Sequence, residues 1–329
     1  MSRSRSPHYA EPMPVLRECR PSDSVGIADL IKRNPSEEFP LLGLNPDQVE
    51  GILRRLQSWP VRLLLGLAAA IHRPLIKIFV LEEGGKILGI AMVSFSPGAA
   101  QIGGLTVDTS IRRRGHAQEL MKACESIGQR YRRPYLILDV LSNNTPAIRL
   151  YEKLRYRTIR DVHWMTRIPT QPIDAGTPNR QYSLRPFRPA DAKETANLAN
   201  AAMPPSVKMM IPFRAKDFRS AGLSRQAGRV DAASWVLESG GKIAGFVKAF
   251  VSPAVAAAQI GPLVLAQPAD TDACGALLRT ALAWCVERRA PRVILALPEH
   301  LDELRPTLER AGFAESFCLH TMALNIGAT

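Results

Sequence analysis

The sequence repeats itself. Leu16-Arg-Glu-Cys-Arg-Pro-Ser-Asp23 returns as Leu184-Arg-Pro-Phe-Arg-Pro-Ala-Asp191, and Leu81-Glu-Glu-Gly-Gly-Lys-Ile-Leu-Gly89 returns as Leu237-Glu-Ser-Gly-Gly-Lys-Ile-Ala-Gly245. Ala100-Gln-Ile-Gly-Gly-Leu105 is matched by Ala258-Gln-Ile-Gly-Pro-Leu263, and Glu152-Lys-Leu-Arg-Tyr156 by Glu309-Arg-Ala-Gly-Phe313. The offsets are 168, 156, 158 and 157 residues, always in the same order. Such constancy marks the duplication of one α/β unit. In a chain of 329 residues each copy is long enough to bury its own core. Residues 169–180 hold three prolines, one glycine and no apolar period, so they read as a linker. The expected organisation is a basic disordered tail over 1–13, a first domain over 14–168, and a second domain over 181–329.

In the first copy, a strand and turn over 15–23 precede a helix over 25–32. Two more helical patterns run at 46–57 and 61–72. Strands at 76–81 and 87–95 flank Glu83-Gly-Gly-Lys86, which has tight-hairpin chemistry. A strand over 102–107 feeds the polar turn Asp108–Ser110. Ala117, Leu120, Met121 and Cys124 then recur at helical spacing, predicting a helix to about Tyr131. A strand over 135–140 follows, and a final hairpin of 156–160 with 163–168 closes the unit.

The chemistry concentrates at Arg112-Arg-Arg-Gly-His-Ala117. A strand that runs through a basic, Gly-containing turn into a helix start is a ready anion site. The first helical N–H groups lack partners, and the macrodipole adds positive potential there. Gly115 admits a ligand close to the backbone, and three arginines supply phosphate-matched charge. The competing reading is an arginine-rich solvated face.

Downstream context bears on that choice. After the strand at 135–140 comes Asn143-Asn-Thr-Pro-Ala-Ile-Arg-Leu-Tyr-Glu-Lys-Leu-Arg-Tyr156. The stretch Gly103–Tyr156 resembles the acetyl-coenzyme A site of the GNAT superfamily of N-acetyltransferases. That signature is a strand ending Leu-x-Val, then Arg/Gln-x-x-Gly-x-Gly/Ala, a helix, a strand, and Asn-x-x-Ala-x-x-x-Tyr-Glu-Lys-Leu-Gly-Phe. The chain supplies Leu105, Val107, Arg112, Gly115, Ala117, Asn144, Ala147, Tyr151, Glu152, Lys153 and Leu154. It departs at Arg155, where Gly is usual, and at Thr109, where Pro is common.

The resemblance implies two tandem GNAT-like domains, each a mixed, mainly antiparallel sheet flanked by helices. It further implies that the backbone at Leu105, Thr106 and Val107 holds the pantetheine arm and acetyl group. Arg112, Arg113, Arg114, Gly115, His116, Ala117 and Gln118 would cradle the pyrophosphate, with the His116 ring turned outward. Asn144 and Ala147 complete the cofactor contacts. Tyr151 matches the tyrosine that protonates the leaving sulfur; its alternative is a packed aromatic. Asp139 matches the Glu of a Leu-Glu-Val strand in protein N-terminal acetyltransferases and is the candidate base, working through a bridging water. Its alternative is a strand-face carboxylate near Arg132 or Arg133. The first copy is 12 residues longer between Leu30 and Leu81 than the second between Leu198 and Leu237, where the family builds an acceptor wall. Glu37 and Glu38 in that insert attract an amine or are simply solvated.

The second copy has lost this chemistry. Asp270-Thr-Asp-Ala-Cys-Gly275 replaces the arginine turn, Ala273 stands for Gly115, and Leu308 stands for Tyr151. Like charges facing a pyrophosphate repel it. The expected activity is acetyl-CoA-dependent N-acetyl transfer, with acetyl-CoA as cosubstrate and a small-molecule or peptide amine as acceptor. The runner-up is a non-catalytic acyl-CoA sensor.

Composition narrows the classes further. Net charge is +13, with +9 (25 basic, 16 acidic) in residues 1–170 and +4 (18 basic, 14 acidic) in 171–329. Aromatics are only 6%, and no nucleic-acid recognition motif is visible, which argues against a nucleic-acid partner. The longest apolar run, Val61–Ile71, is interrupted by Arg62 and too short to span a bilayer. The N-terminus lacks the apolar core of a secretory signal. Five scattered cysteines without a C-x-x-C pair argue for reduced thiols in a cytoplasm and against a metal site. The two copies are expected to pair as a pseudo-dimer within one monomer.

Overall fold

The computed structural model describes residues 14–35, 76–96, 98–168, 182–219, 231–251, 257–267 and 270–327. The tail, the linker, the helical patterns at 46–57 and 61–72, and Glu37 and Glu38 lie outside those residues. Twelve strands and eight α-helices are described, and no helix among them is long and apolar enough to cross a membrane. They pack as two compact units. Among the described residues the first comprises 14–35, 76–95 and 101–132, and the second comprises the rest.

In the first unit, β1 (Val15–Glu18) pairs antiparallel with β2 (Ile76–Glu83), which forms a hairpin with β3 (Lys86–Phe95). The strand β4 (Ala99–Val107) joins this unit from Gln101 onward. Helix α1 (Ser24–Arg33) buries Ile27, Leu30 and Ile31, which share one face at helical spacing, and ends in Lys32 and Arg33, matching the negative end of the dipole. Helix α2 (His116–Arg130) buries Leu120, Met121, Cys124 and Ile127 in the same way. Its seat on β3 depends on Gly89, where a Cβ would stand 2.8 Å from Leu81 Cδ1 and 3.2 Å from Leu120 Cδ1.

The second unit is one sheet in the order β5 (Tyr135–Leu141), β12 (Ala314–Asn325), β6 (Arg157–Arg167), β11 (Val293–Pro298), β10 (Ala258–Leu265), β9 (Lys242–Val251), β8 (Asp231–Ser239), β7 (Ser183–Pro186). Only β10 and β11 run parallel; the other pairings in this unit are antiparallel. The helices are α3 (Thr145–Lys153), α4 (Ala192–Ala202), α5 (Pro205–Met210), α6 (Ala215–Arg219), α7 (Thr271–Glu287) and α8 (Arg305–Arg310). Gly245 on β9 repeats the device of Gly89: a Cβ there would lie 2.9 Å from Leu277 of α7 and 3.2 Å from Leu265. The glycine that ends both repeated motifs is therefore a packing requirement.

A second repeated device is ionic. Arg17 donates to both Asp23 oxygens, at 2.7 and 2.8 Å, and to Glu82 at 3.5 Å. Arg185 donates to both Asp191 oxygens, at 2.8 and 3.0 Å, and to Glu238 at 2.6 Å. Each triad pins the turn after the copy's first strand to its second strand.

The final hairpin expected over 156–168 is absent. Those residues form the single strand β6, and its hydrogen bonds go to β11 and β12 of the second repeat. In turn β12, the last strand of the second repeat, pairs with β5 of the first. The two repeats thus exchange their terminal strands, so neither end needs a hairpin partner of its own. Ile159 is an extra residue between Arg160, opposite Thr321, and Thr158, opposite Met322. That bulge sits in the stretch expected as the hairpin's first strand, 156–160. Met165 of β6 is fully buried in the core of the second repeat. Removing such a side chain costs about 2–5 kcal/mol.

Candidate functional site

The basic turn leaves β4 at Val107 and is held from two sides. Asp108 accepts hydrogen bonds from the backbone and hydroxyl of Ser110, at 3.0 and 2.7 Å, and is ion-paired with Arg33 of α1. Asn34 Oδ1 accepts from Thr109 N at 3.0 Å. Burial alone would raise the Asp108 carboxyl pKa, but the Ser110 bonds and the Arg33 charge outweigh it and hold it below the usual range. Arg112 turns its Nε back to Val107 O at 3.0 Å, stapling the strand end to the turn. Arg113 takes a left-handed conformation, φ 64°, while Arg113 and Arg114 are exposed.

Gly115 is the N-cap of α2, with φ 90° and no side-chain cap bond. The first N–H groups of α2 therefore have no side chain over them, and the macrodipole adds to the charge of Arg113 and Arg114. A Cβ on Gly115 would meet nothing within 4 Å, so the space above the helix start is open. The His116 ring is not turned outward as expected. Its side chain is 12% exposed and its Nδ1 is 2.9 Å from Glu119 Oε2, because one helical turn brings those two residues together. Leu105, Thr106, Ala117 and Gln118 are half-buried around the turn, and Val107 is buried.

The counterpart in the second repeat is closed. Asp270 caps α7, its Oδ1 accepting from Ala273 N at 2.9 Å, and the Tyr182 hydroxyl donates to its other oxygen. The carboxylate occupies the position a phosphate oxygen would take. Sequence reasoning found the acid there; the Tyr182 contact had no sequence signal.

Asp139, Asn144, Ala147 and Tyr151 belong to the second unit, on β5 and α3. Asn144 caps α3, its Oδ1 accepting from Ala147 N at 3.3 Å. Tyr151 is buried, 8% exposed, with its ring 6.1 Å from that of Tyr156. Asp139 is exposed and accepts from the Thr321 hydroxyl at 2.7 Å, directly across the exchanged strand β12. Arg160 of β6 donates to the same hydroxyl at 3.4 Å. Thr321 and Arg160 were invisible to the sequence reading because strand exchange brings them to Asp139. Ala296, 157 residues beyond Asp139, lies opposite Trp164, so the second repeat lacks the carboxylate as well. Asp161, Cys318 and His320 are close enough together to share a metal ion, although His320 Nδ1 already lies 2.7 Å from Asp161 Oδ1.

An open, glycine-capped helix start beneath a basic turn is the arrangement on which the sequence resemblance rests. Residues 48–156 match the model of the acetyltransferase (GNAT) family. That match spans about a third of the chain and contains the basic turn, the start of α2, Asn144 and Tyr151. The whole fold is similar to a GCN5-related N-acetyltransferase from Sphaerobacter thermophilus, at 19% identity and TM-score 0.67, covering 95% of this chain and 96% of that one. A tandem GNAT protein from the clavulanic acid biosynthesis pathway is similar at 15% identity and TM-score 0.66, covering 96% and 99%. A putative acetyltransferase from Pyrococcus horikoshii follows at 16% identity and TM-score 0.56, covering 100% and 95%. At these identities the likeness speaks for the tandem GNAT fold. No curated protein matches the sequence.

Proposed function

We propose that this GNAT protein is an acetyl-CoA-dependent N-acetyltransferase whose first repeat, 14–168, binds the cofactor while the second, 181–329, does not. The carrying observation is the contrast between two helix starts: α2 is capped by Gly115 and open, whereas α7 is capped by Asp270 and closed. Arg113, Arg114 and the α2 N–H groups take the pyrophosphate, and the backbone at Leu105–Val107 takes the pantetheine arm and acetyl group. Arg112 supports the turn through Val107, and Asn144 sets the start of α3 through Ala147.

In the reaction the amine nitrogen attacks the thioester carbonyl, and the carbon–sulfur bond breaks. Tyr151 gives its proton to the leaving sulfur. Asp139 takes a proton from the amine through a water, with Thr321 holding its carboxylate. A peptide α-amine, pKa about 8, is roughly a tenth neutral at pH 7, whereas a lysine amine is neutral in under a thousandth. An exposed carboxylate working through water is a modest base, so the favoured acceptor is an amine of low pKa, a peptide or protein N-terminus among them. Thiol release from acetyl-CoA, measured against panels of peptides, polyamines, aminoglycosides and amino acids, tests this reading. Turnover with one class supports it; tight cofactor binding without turnover on any amine leaves a sensor instead.

A further inference from the structure

The second unit contains a cavity of about 300 Å³, lined by the second repeat and by β6 of the first. Its origin is the sheet itself. β10 and β11 pair in parallel only through Ala258–Ile260 and Val293–Leu295, after which β10 bulges between Ile260 and Leu263 and follows β9 alone. Ile260 and Leu265 line one side of the resulting gap, Ala296 and Pro298 the other, and Ala199 and Ala202 of α4 line it with Met203 just beyond that helix. The walls are mostly apolar, with Phe213 and Phe250 completing them. At this size the space is at the small end of ligand pockets.

Four polar side chains, Arg160, Trp164, Gln259 and His300, interrupt the apolar wall, and on three of them the fold leaves a polar atom without a hydrogen bond. Trp164 Nε1 and His300 Nδ1 are buried without a hydrogen-bond partner. Arg160 spends its Nε on Thr321, and its terminal nitrogens make no hydrogen bond among the described residues. The Trp164 ring is fixed by stacking on Phe317, with centroids 5.6 Å apart, so its N–H cannot simply swing to water. Burial pulls the Arg160 guanidinium below its usual range against the opposing charge of Asp139, which marks a cation short of compensation. Burial first, and then the charge of Arg160, lower the His300 imidazole pKa from its usual value against the weaker pull of Glu299. No carboxylate lines the cavity. Leaving buried donors unmade is costly, so a site built this way calls for an acceptor from outside.

We propose that this cavity binds a small apolar carboxylate, its head on Arg160 and the Trp164 N–H and its tail among Met203, Phe213 and Phe250. A guanidinium fork matches a carboxylate geometrically, and the apolar body answers the rest of the wall. Coenzyme A itself is excluded from this role because Asp270 closes the helix start that would hold its phosphates. The site is therefore distinct from acyl-donor binding in the first repeat and does not depend on that reading.

Calorimetric titration of the full chain with octanoate, octanol and octylamine tests the proposal. One octanoate should bind per chain, and octanol and octylamine should bind at least tenfold more weakly. The Trp164 indole N–H resonance, assigned by its loss in Trp164→Phe, should move on adding octanoate. Arg160→Met should weaken octanoate about tenfold or more, as expected for loss of a charge-assisted hydrogen bond. Should that variant not fold, Trp164→Phe keeps the stacking ring and should still weaken binding several-fold. Absence of octanoate binding, equal affinity for octanol, unchanged affinity in a folded Arg160→Met, or displacement of octanoate by acetyl-CoA would each overturn it.

Discussion

Replacing Gly115 with Asp puts the logic of the second repeat into the first. The fold should tolerate it. A Cβ at Gly115 meets nothing within 4 Å, so the cost is the left-handed backbone, φ 90°, which is about 1–2 kcal/mol for a residue with a side chain. In a unit of this size that lowers the melting temperature by roughly 2–8 °C. The effect on the cofactor should be larger. A carboxylate about 5 Å from a pyrophosphate in a half-solvated site, at an effective dielectric of about 40–80, repels each phosphate charge by about 0.8–1.7 kcal/mol. Two such charges weaken binding roughly fifteen- to three-hundredfold. Calorimetry with coenzyme A at low ionic strength reads this directly, and the deficit should shrink at high salt because the charges are exposed. Gly115→Ala separates strain from charge, and should show the same loss of melting temperature with a smaller loss of affinity. A folded Gly115→Asp protein that binds coenzyme A within twofold of the parent would refute the assignment of the phosphates to this turn.

Tyr151→Phe should lower kcat strongly while leaving acetyl-CoA affinity nearly intact, and full turnover on the true acceptor would make Tyr151 a packing residue. Asp139→Asn should cost less, with a deficit that narrows as pH rises and the amine deprotonates unaided; a constant deficit across pH would remove Asp139 from proton transfer. Acid stability should report the twin ionic triads. The Arg17 and Arg185 hydrogen bonds hold Asp23 and Asp191 below the usual carboxylate range, so their stabilisation is present above about pH 4 and fades as pH falls through the folded values. The double variant Asp23→Asn, Asp191→Asn should melt lower at pH 7 and converge with the parent in acid; a gap that does not close there would show that the ionised triads are not its source. Expressing 14–168 and 181–329 separately should give aggregating or poorly folded products, because each lacks the strand that the other contributes. Two fully stable, monomeric halves would contradict the exchange.

Much of the fold was legible because its devices are local. Hydrophobic spacing marked α1 and α2, Gly84–Gly85 marked the hairpin, and the repeated motifs marked the duplication before any partner was known. The basic turn was legible for the same reason, since strand, glycine and helix start are contiguous. What escaped was the choice of partner. β6 has the alternation of a strand whether it folds back on itself at 161–162 or crosses to β11. With the exchange unseen, Thr321 and Arg160 could not be placed beside Asp139, nor Trp164 in the cavity of the second unit. Gly89 and Gly245 were read as parts of a repeat, and only the helices above them show why neither can carry a Cβ.

The central claim is that one helix start of the two is open to an acyl-CoA, and the number of binding sites tests it most directly. Titration of the full chain with acetyl-CoA should give one site per chain, lost in Gly115→Asp. Two equivalent sites per chain, or one that persists in that variant, would contradict it.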